Sequence, residues 1–241
     1  MKRILLVFIG ILLSSLSFGQ IPTSNLVREY LFTNGGLKNS LTPGTFDLSP
    51  IGSTRINIPD LTGNIDQAIL LNGDSFDAGH RGGQTDISLS FWFKSTQVST
   101  QDTIIQQYTD SNFGPYGWYI ELVNGKIRAT SKIYNGSVIL PIVLESIDVI
   151  ADGCWHHVVF TAYEHQKPGY IAQGYTRYLF VDNVLQGSGE NFFSGTMTPN
   201  FNHPTESIII NPSGNNYVDN IDNIRVYNQI LWGADIQELY K

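Results

Sequence analysis

The stretch Cys154 to Tyr163, CWHHVVFTAY, has the pattern of a central β-strand and decides the fold. Side chains alternate between the two faces of a strand, which places Val158, Phe160 and Ala162 together on one face. This apolar face predicts contact with the core of a two-layer sheet protein. The other face mixes aromatic and polar side chains and comprises Trp155, His157, Val159, Thr161 and Tyr163. We expect that mixed face to be half open, with room for a ligand.

Further strand patterns fill most of the chain, and they are short and separated by Gly, Asn, Asp and Pro. Ile87 to Lys94 (ISLSFWFK) alternates cleanly, and Asn124-Gly125 is typical of a tight hairpin turn. The other strand candidates are Leu26 to Phe32, Ala68 to Leu71, Thr103 to Tyr108, Trp118 to Val123, Lys126 to Ser131, Val138 to Val143, Tyr175 to Val181, Val184 to Gln186, Ser207 to Asn211 and Ile221 to Tyr227. Apolar spacing in Ala234 to Tyr240 predicts one short helix. Together these patterns predict an all-β fold, a two-sheet antiparallel jelly-roll sandwich with a short C-terminal helix.

The first 19 residues have the features of a secretory signal peptide. Basic residues precede the apolar run Ile4 to Leu13, and the small residues Ser17 and Gly19 precede an expected cleavage before Gln20. The apolar run is shorter than the roughly 20 residues that span a bilayer. We therefore expect residues 20–241 to form one secreted domain, located in the periplasm or outside the cell.

Charge and cysteine content restrict the partners and the source of stability. The formal net charge is −7, and the predicted signal peptide removes Lys2 and Arg3, so the secreted chain is more acidic still. An acidic surface repels nucleic acid and anionic lipid, and neither is an expected partner. The single cysteine, Cys154, excludes an intrachain disulfide, and we expect its thiol to be buried as a small hydrophobic group.

Four blocks of sequence, taken in order, carry a family resemblance. They are SLSFWFK at 88–94, CWHHVVFTAY at 154–163, YLFVDN at 178–183, and IDNIRVYNQIL with IQELY between 221 and 240. Their order and spacing resemble the LamG-like jelly-roll group of the concanavalin A-like lectin/glucanase superfamily, and more distantly the pentraxins. The resemblance implies the same sandwich over nearly all of residues 20–241. It departs at Trp232, where the family pattern usually has a helix-capping Ser.

No arrangement of residues predicts catalysis. Glycosidases that resemble this fold commonly deliver two carboxylates from one strand as Glu-x-Asp-x-x-Glu, and no such run occurs here. Similar lyases carry a Gln-x-His strand, whereas Gln106 and Gln107 precede a tyrosine. His156 and His157 cannot chelate one ion, because adjacent strand residues point to opposite faces. We therefore predict that the protein is not an enzyme.

Aromatic residues on loops predict a binding site for a glycan. Sugar C–H faces stack on aromatic rings, while sugar hydroxyls bind amides and carboxylates. The predicted ligand-binding residues are Asp110, Asn112, Tyr116, Trp118 and Tyr134. A second cluster follows the central strand and comprises Tyr163, His165, Tyr170 and Tyr175. Trp118 has an alternative position, because it faces the core if Ile120 and Leu122 do.

Calcium is the metal that the resemblance implies. Asp222 matches the Asp that, in similar bacterial jelly rolls, holds an ion between the last strand and the start of the chain. The loop Asp110-Ser111-Asn112 aligns with the calcium loop of pentraxins. A solvated turn Asp is the alternative at both positions.

These patterns favour a secreted, non-catalytic carbohydrate-binding module whose partner is a glycan or polysaccharide. A secreted adhesion module that binds a surface protein remains an alternative, and a polysaccharide-degrading enzyme is the less favoured one. The fold alone does not separate these three classes, so the site must do so.

Overall fold

The computed structural model describes residues 20–52, 56–80, 86–99, 101–109, 116–134, 139–166, 172–194, 206–212 and 218–241. Its strands are β1 (Leu26–Tyr30), β2 (Ser49–Ile51), β3 (Ile56–Ile58), β4 (Ala68–Asn72), β5 (Ser75–His80), β6 (Ile87–Lys94), β7 (Gln101–Thr109), β8 (Tyr116–Val123), β9 (Lys126–Tyr134), β10 (Ile139–Glu145), β11 (His156–Gln166), β12 (Ala172–Val181), β13 (Val184–Ser194), β14 (Ser207–Ile210) and β15 (Val218–Tyr227). The helix α1 spans Gly233–Tyr240. The predicted signal peptide lies outside the described residues.

The strands form two antiparallel sheets. The first sheet has the order β13-β12-β11-β6-β15-β4-β3, with β1 also paired to β15, and the second has the order β10-β9-β8-β7-β14-β5-β2. The central strand β11 pairs with β12 on one side and β6 on the other. The predicted two-sheet jelly-roll sandwich with a short C-terminal helix is confirmed.

The inner face of β11 lies in the core, as its apolar alternation predicts. Val158, Phe160 and Ala162 are buried among residues of both sheets. The Phe160 ring contacts Trp118 of the second sheet, with ring centroids 6.1 Å apart. This contact joins the two layers, because β8 and β11 belong to different sheets.

The outer face of the first sheet is covered only in part. The helix α1 packs on it through Ile236 and Leu239, which form a second apolar cluster with Val159, Tyr227 and Leu231. Tyr163, four residues beyond Val159 on the same face, is only half-buried. The expected half-open face is therefore present, and its open half lies at the C-terminal end of β11.

Two tight turns set the strand registers. Asn124 and Gly125 both have positive φ (51° and 77°), as do Asp182 and Asn183 (50° and 63°). Positive φ at both central residues is the geometry of a type I′ turn, whose twist matches that of the flanking strands. The turns join β8 to β9 and β12 to β13.

Two features differ from the sequence-based expectations. The strand β5 was not predicted, because Asp77 and Gly79 interrupt its pattern, yet it pairs with β14 and β2. Cys154 is exposed rather than buried. The strand begins at His156, so the thiol lies in the preceding turn, where the Cys154 N–H donates to Asp152 Oδ1 (2.7 Å). No helix in the part of the chain that the structure describes is long and apolar enough to cross a membrane.

Candidate functional site

The open half of the outer face is formed by the adjoining ends of β11, β12 and β13. Tyr163 of β11 pairs with Thr176 of β12, which pairs with Glu190 of β13. Two residues along β12, Tyr178 pairs with Ser188. Cross-strand partners share a face, so these five side chains lie side by side on the surface.

Three aromatic rings meet at this surface. The rings of Tyr163 and Tyr178 are nearly parallel, at 12°, with centroids 6.5 Å apart. Trp232 stands edge-on to both, with centroid distances of 6.3 Å to Tyr163 and 5.0 Å to Tyr178. Trp232 is the N-cap residue of α1 and has an extended backbone, and it is 45% exposed. The indole therefore lies at the boundary between the helix and the open sheet, available to a ligand.

Polar side chains lie directly beside the rings. His165 Nε2 is 2.8 Å from Glu190 Oε1 and 2.9 Å from Thr176 Oγ1, and that hydroxyl donates to Glu190 Oε1 (3.2 Å). Phe192 is 40% exposed and lies edge-on to His165 at 6.0 Å. A Cβ on Gly174 would lie 2.5 Å from His165 Cε1 and 2.9 Å from Phe192 Cε1. Because residue 174 is glycine, the rings of His165 and Phe192 can both lie close to the backbone of β12.

These residues line an open groove of about 290 Å³, at the small end of the range for ligand pockets. The lining residues are Tyr163, His165, Thr176, Tyr178, Ser188, Gly189 and Glu190. Burial raises the pKa of the Tyr178 phenol, and the neighbouring Tyr163 raises it further. Tyr178 therefore remains a neutral hydrogen-bond donor at physiological pH. The groove combines flat apolar rings with one carboxylate and several hydroxyls.

Comparison with known families agrees with this architecture. The family model described as the concanavalin A-like lectin/glucanases superfamily matches residues 67–237. The chain belongs to this superfamily. No curated protein matches the chain by sequence.

Several solved structures share the concanavalin A-like fold. Domain 4 of AbnA, a GH43 extracellular arabinanase from Geobacillus stearothermophilus solved in complex with arabinotriose, is 20% identical, with a TM-score of 0.66 over 90% of this chain and 99% of that one. The binding domain of Paraclostridial Mosquitocidal Protein 1 is 17% identical, with a TM-score of 0.63 over 90% and 52%. A botulinum neurotoxin type C structure, described as depending on two ganglioside molecules for cell entry, is 14% identical, with a TM-score of 0.60 over 90% and 50%. The chain spans about half the length of the last two structures.

Trp118 lies in the core of the concanavalin A-like sandwich and not at its rim. Its side chain is fully buried, as are Ile120 and Leu122, which share its face of β8. Trp118 pairs with Ser131 in the register that the Asn124-Gly125 turn sets. The prediction that its ring contacts a ligand is therefore wrong, and the alternative core position is correct.

The other predicted ligand-binding residues stay predictions. Asp110 and Asn112 lie outside the described residues. Tyr116 begins β8 and Tyr134 ends β9, both in the second sheet, and their side chains also lie outside the description. The strands that carry Tyr116 and Tyr134 belong to the second sheet, whereas the groove lies on the first.

The second predicted cluster is divided by strand alternation. Tyr163 and His165 lie at the groove, whereas Tyr175 is buried in the core and Tyr170 lies outside the described residues. Tyr175 pairs with Glu164, the residue between Tyr163 and His165, and so has the opposite orientation.

Tyr178, Glu190 and Trp232 were missed as site residues by sequence reasoning. Tyr178 has the same alternation as Thr176, the partner of Tyr163, so the β11–β12 register would have identified it. One indication pointed to Trp232, since it stands where the family pattern usually has a helix-capping Ser.

The predicted metal ligand Asp222 is buried on the outer side of β15, at an irregularity in the pairing between β15 and β6. The Asn223 N–H donates to Asp222 Oδ1 (2.6 Å). Burial raises the pKa of Asp222 to about 7, and the Asp60 carboxylate raises it while Arg225 lowers it. No group of three His, Cys, Asp or Glu side chains within the described ranges is placed to hold a metal. The calcium ion expected at Asp222 therefore stays a prediction.

Proposed function

We propose that the chain is a secreted, non-catalytic module that binds a glycan at the groove on the first sheet. The observation that supports this most is the Tyr163–Tyr178–Trp232 ring cluster, whose indole is half-exposed beside a polar groove. Flat rings suit the C–H faces of sugars, and the groove supplies hydrogen-bond partners for sugar hydroxyls.

The solved structures give this proposal indirect support. One is a domain in complex with arabinotriose, and another is a toxin described as interacting with gangliosides. At 20% identity or less the likeness extends to the fold alone, so the function is argued from the groove's own residues.

The groove is better suited to binding than to hydrolysis. Glycoside hydrolysis uses two carboxylates on either side of the scissile bond. Glu190 is the one carboxylate among the described residues that line the groove, and it is paired with His165 at 2.8 Å. A carboxylate in that position can accept hydrogen bonds from sugar hydroxyls, and it has no acid partner beside it among the described lining residues.

The test is affinity electrophoresis of the purified protein through gels that contain one polysaccharide each, arabinan among them. We expect retardation in at least one gel and its loss in Trp232→Ala. Phe46→Ala is the matched control, because Phe46 is similarly exposed, at 43%, and lies near Gly79 on the second sheet.

Three other outcomes of these experiments would favour a different site or a different function. Retardation that survives Trp232→Ala but is lost in an Asp110→Ala and Tyr116→Ala double variant would move the site to the loop before β8. Absence of retardation in every gel, together with purification of a bound surface protein, would favour the adhesion module. Release of reducing sugar that disappears in Glu190→Gln would show an enzyme.

We also propose that Asp222 binds calcium. Its buried carboxylate accepts hydrogen bonds from the Asn223 N–H and Nδ2 and has an acidic neighbour in Asp60. The nearby cation, Arg225, is itself paired with Glu29. A bound cation would supply the compensation and would join β15 to the adjoining β1, near the start of the described chain.

A further inference from the structure

The described residues that line the glycan groove carry no net positive charge. Glu190 is their one carboxylate, and His165 is the one side chain among them that can become a cation. The two form a pair, with 2.8 Å between His165 Nε2 and Glu190 Oε1. This pair has no net charge when the imidazole is protonated and a single negative charge when the imidazole is neutral. In either state, a ligand on the rings meets no unbalanced cation among these residues.

The one guanidinium on the strands that form the groove points away from it. Arg177 is the only Lys or Arg within β11, β12 and β13. It pairs with Ala162 of β11, a core residue, and cross-strand partners share a face. The buried Arg177 Nη1 donates to the Tyr175 carbonyl (2.8 Å) and to Asn191 Oδ1 (2.9 Å). Arg177 therefore cannot reach a ligand on the outer face. Lys167, between β11 and β12, lies outside the described residues.

The start of α1, which adjoins the groove, already holds a carboxylate of the chain itself. A helix N-terminus attracts anions through its free N–H groups and its dipole. Here the Trp232 N–H donates to Asp235 Oδ2 (3.3 Å), and Asp235 belongs to the first turn of the helix. Asp235 therefore offsets the attraction of this helix end for a ligand anion. It also adds negative charge beside the indole of Trp232.

The polar groups of the groove suit hydroxyl ligands. The Glu190 side chain is 40% exposed, so its carboxylate is open to a ligand hydroxyl. Ser188, beside it along β13, is an exposed hydroxyl, and Tyr178 is a phenol. A carboxylate accepts hydrogen bonds from sugar hydroxyls but repels a carboxylate or sulfate of the ligand at the same distance. The groove therefore distinguishes glycans by their charge.

We propose that the ligand of the groove is an uncharged glycan, and that glycans of uronic acids, sulfated sugars or sialic acids bind there at least tenfold more weakly. This inference rests on the proposed function and names the class of ligand. An acidic sugar would bring its charge close to Glu190 and Asp235 and lose hydration without gaining a cation. The formal net charge of the chain, −7, acts in the same direction at longer range.

The test is affinity electrophoresis through gels of neutral polysaccharides (arabinan, galactomannan and mixed-linkage β-glucan) and of acidic ones (polygalacturonate, alginate and chondroitin sulfate). We expect retardation in at least one neutral gel and in no acidic gel. The neutral polymer that retards the protein is then converted to a carboxymethyl form and, separately, to a carbamoylmethyl form. These substituents are similar in size and differ in charge. The carboxymethyl form should bind at least tenfold more weakly than the carbamoylmethyl form.

A cation placed in the groove should reverse this preference. Ser188→Lys adds an ammonium group at an exposed lining position. We expect it to bind the carboxymethyl form at least tenfold more tightly than the wild type does. Ser49→Lys is the matched control, because Ser49 is an exposed serine of β2 in the second sheet and its substitution changes the net charge equally. It should bind the carboxymethyl form as the wild type does.

Retardation by an acidic polysaccharide and by no neutral one would overturn this inference while glycan binding stands. Equal affinity for the carboxymethyl and carbamoylmethyl forms would overturn it as well, and so would equal gains in Ser188→Lys and Ser49→Lys. Absence of retardation in every gel, neutral or acidic, would overturn both the inference and the proposed function. Should Ser188→Lys fail to fold, the comparison of the two polymer forms with the wild-type protein decides alone.

Discussion

The indole of Trp232 lies edge-on to the ring of Tyr178 with centroids 5.0 Å apart, and this contact joins the start of the C-terminal helix to the open edge of the first sheet. The helix thereby extends the groove beyond the three strands that form its floor. A ligand bound on these strands would also contact the indole of Trp232, which comes from a distant part of the chain.

Removing the indole of Trp232 should weaken glycan binding while the fold is kept. Trp232→Ala should lower glycan affinity by at least tenfold, which corresponds to about 1.4 kcal/mol. Its Tm should change little, because the side chain is half-exposed and makes no capping hydrogen bond. Trp232→Phe keeps an aromatic face and should retain part of the affinity. Equal retardation of all three proteins in affinity gels would contradict the proposed site.

Trp118 should behave in the opposite way. Its ring is fully buried against Phe160, so Trp118→Ala should cost about 3–5 kcal/mol of unfolding free energy. Urea unfolding measures this cost, and Trp118→Phe should be clearly milder. Folded Trp118→Ala, assayed at low temperature, should still bind the glycan. A stability loss below about 1 kcal/mol would contradict the core position.

The Asp222 ion should be visible in the melting temperature. A chelator should lower the Tm of the wild type, and Asp222→Asn should reduce that effect, since a ligand that binds only the folded state stabilises it. Asp148→Asn, at an exposed position, should retain the whole effect. A wild-type melt that is unchanged by chelator would rule out a stabilising ion at Asp222.

Acid should destabilise the protein through His157. The ring is fully buried beneath Trp92 and Tyr240, with Nε2 2.8 Å from Ser90 Oγ. Burial lowers the pKa of His157 to about 4, and Arg225 lowers it further while Asp182 raises it. The unfolded chain therefore takes up the proton near pH 6.5 and the folded chain only near pH 4.

Folding with a neutral His157 therefore gives a stabilisation that is fully present above pH 6.5. This stabilisation is lost as the pH falls towards 4, by about 3 kcal/mol in all. Asp219 and Asp222, with raised pKa values, act in the opposite direction over part of this range. The measurement is therefore the difference in unfolding free energy between wild type and His157→Gln at pH 8 and at pH 4.5. A difference that does not change with pH would show that His157 does not contribute to acid sensitivity.

Local patterns were enough to predict the sandwich, because each rule involved acts over a few residues. Alternation in β11 placed Val158 and Phe160 in the core, and the Asn124-Gly125 turn predicted the β8–β9 hairpin. The strand β5 was missed for the same reason, since Asp77 and Gly79 give no local strand signal and pairing with its neighbours supplies the stability.

The groove could not be predicted in this way. Tyr163, Tyr178 and Trp232 meet because of the β11–β12 register and the docking of α1, and neither is set by residues adjacent in sequence. The orientation of Tyr175 shows the difficulty, because a shift of one residue in register would have turned it outward in place of Thr176.

The exposed turn at Cys154 precedes β11, and the groove lies at the other end of that strand. Tyr163 is nine residues further on, about 30 Å away at the rise of an extended strand. The chain has no second cysteine, so a maleimide fluorophore or a biotin tether would attach at one defined point. Molecules anchored to a sensor surface through this thiol would all present the groove away from the support, and each would be free to capture a soluble polysaccharide.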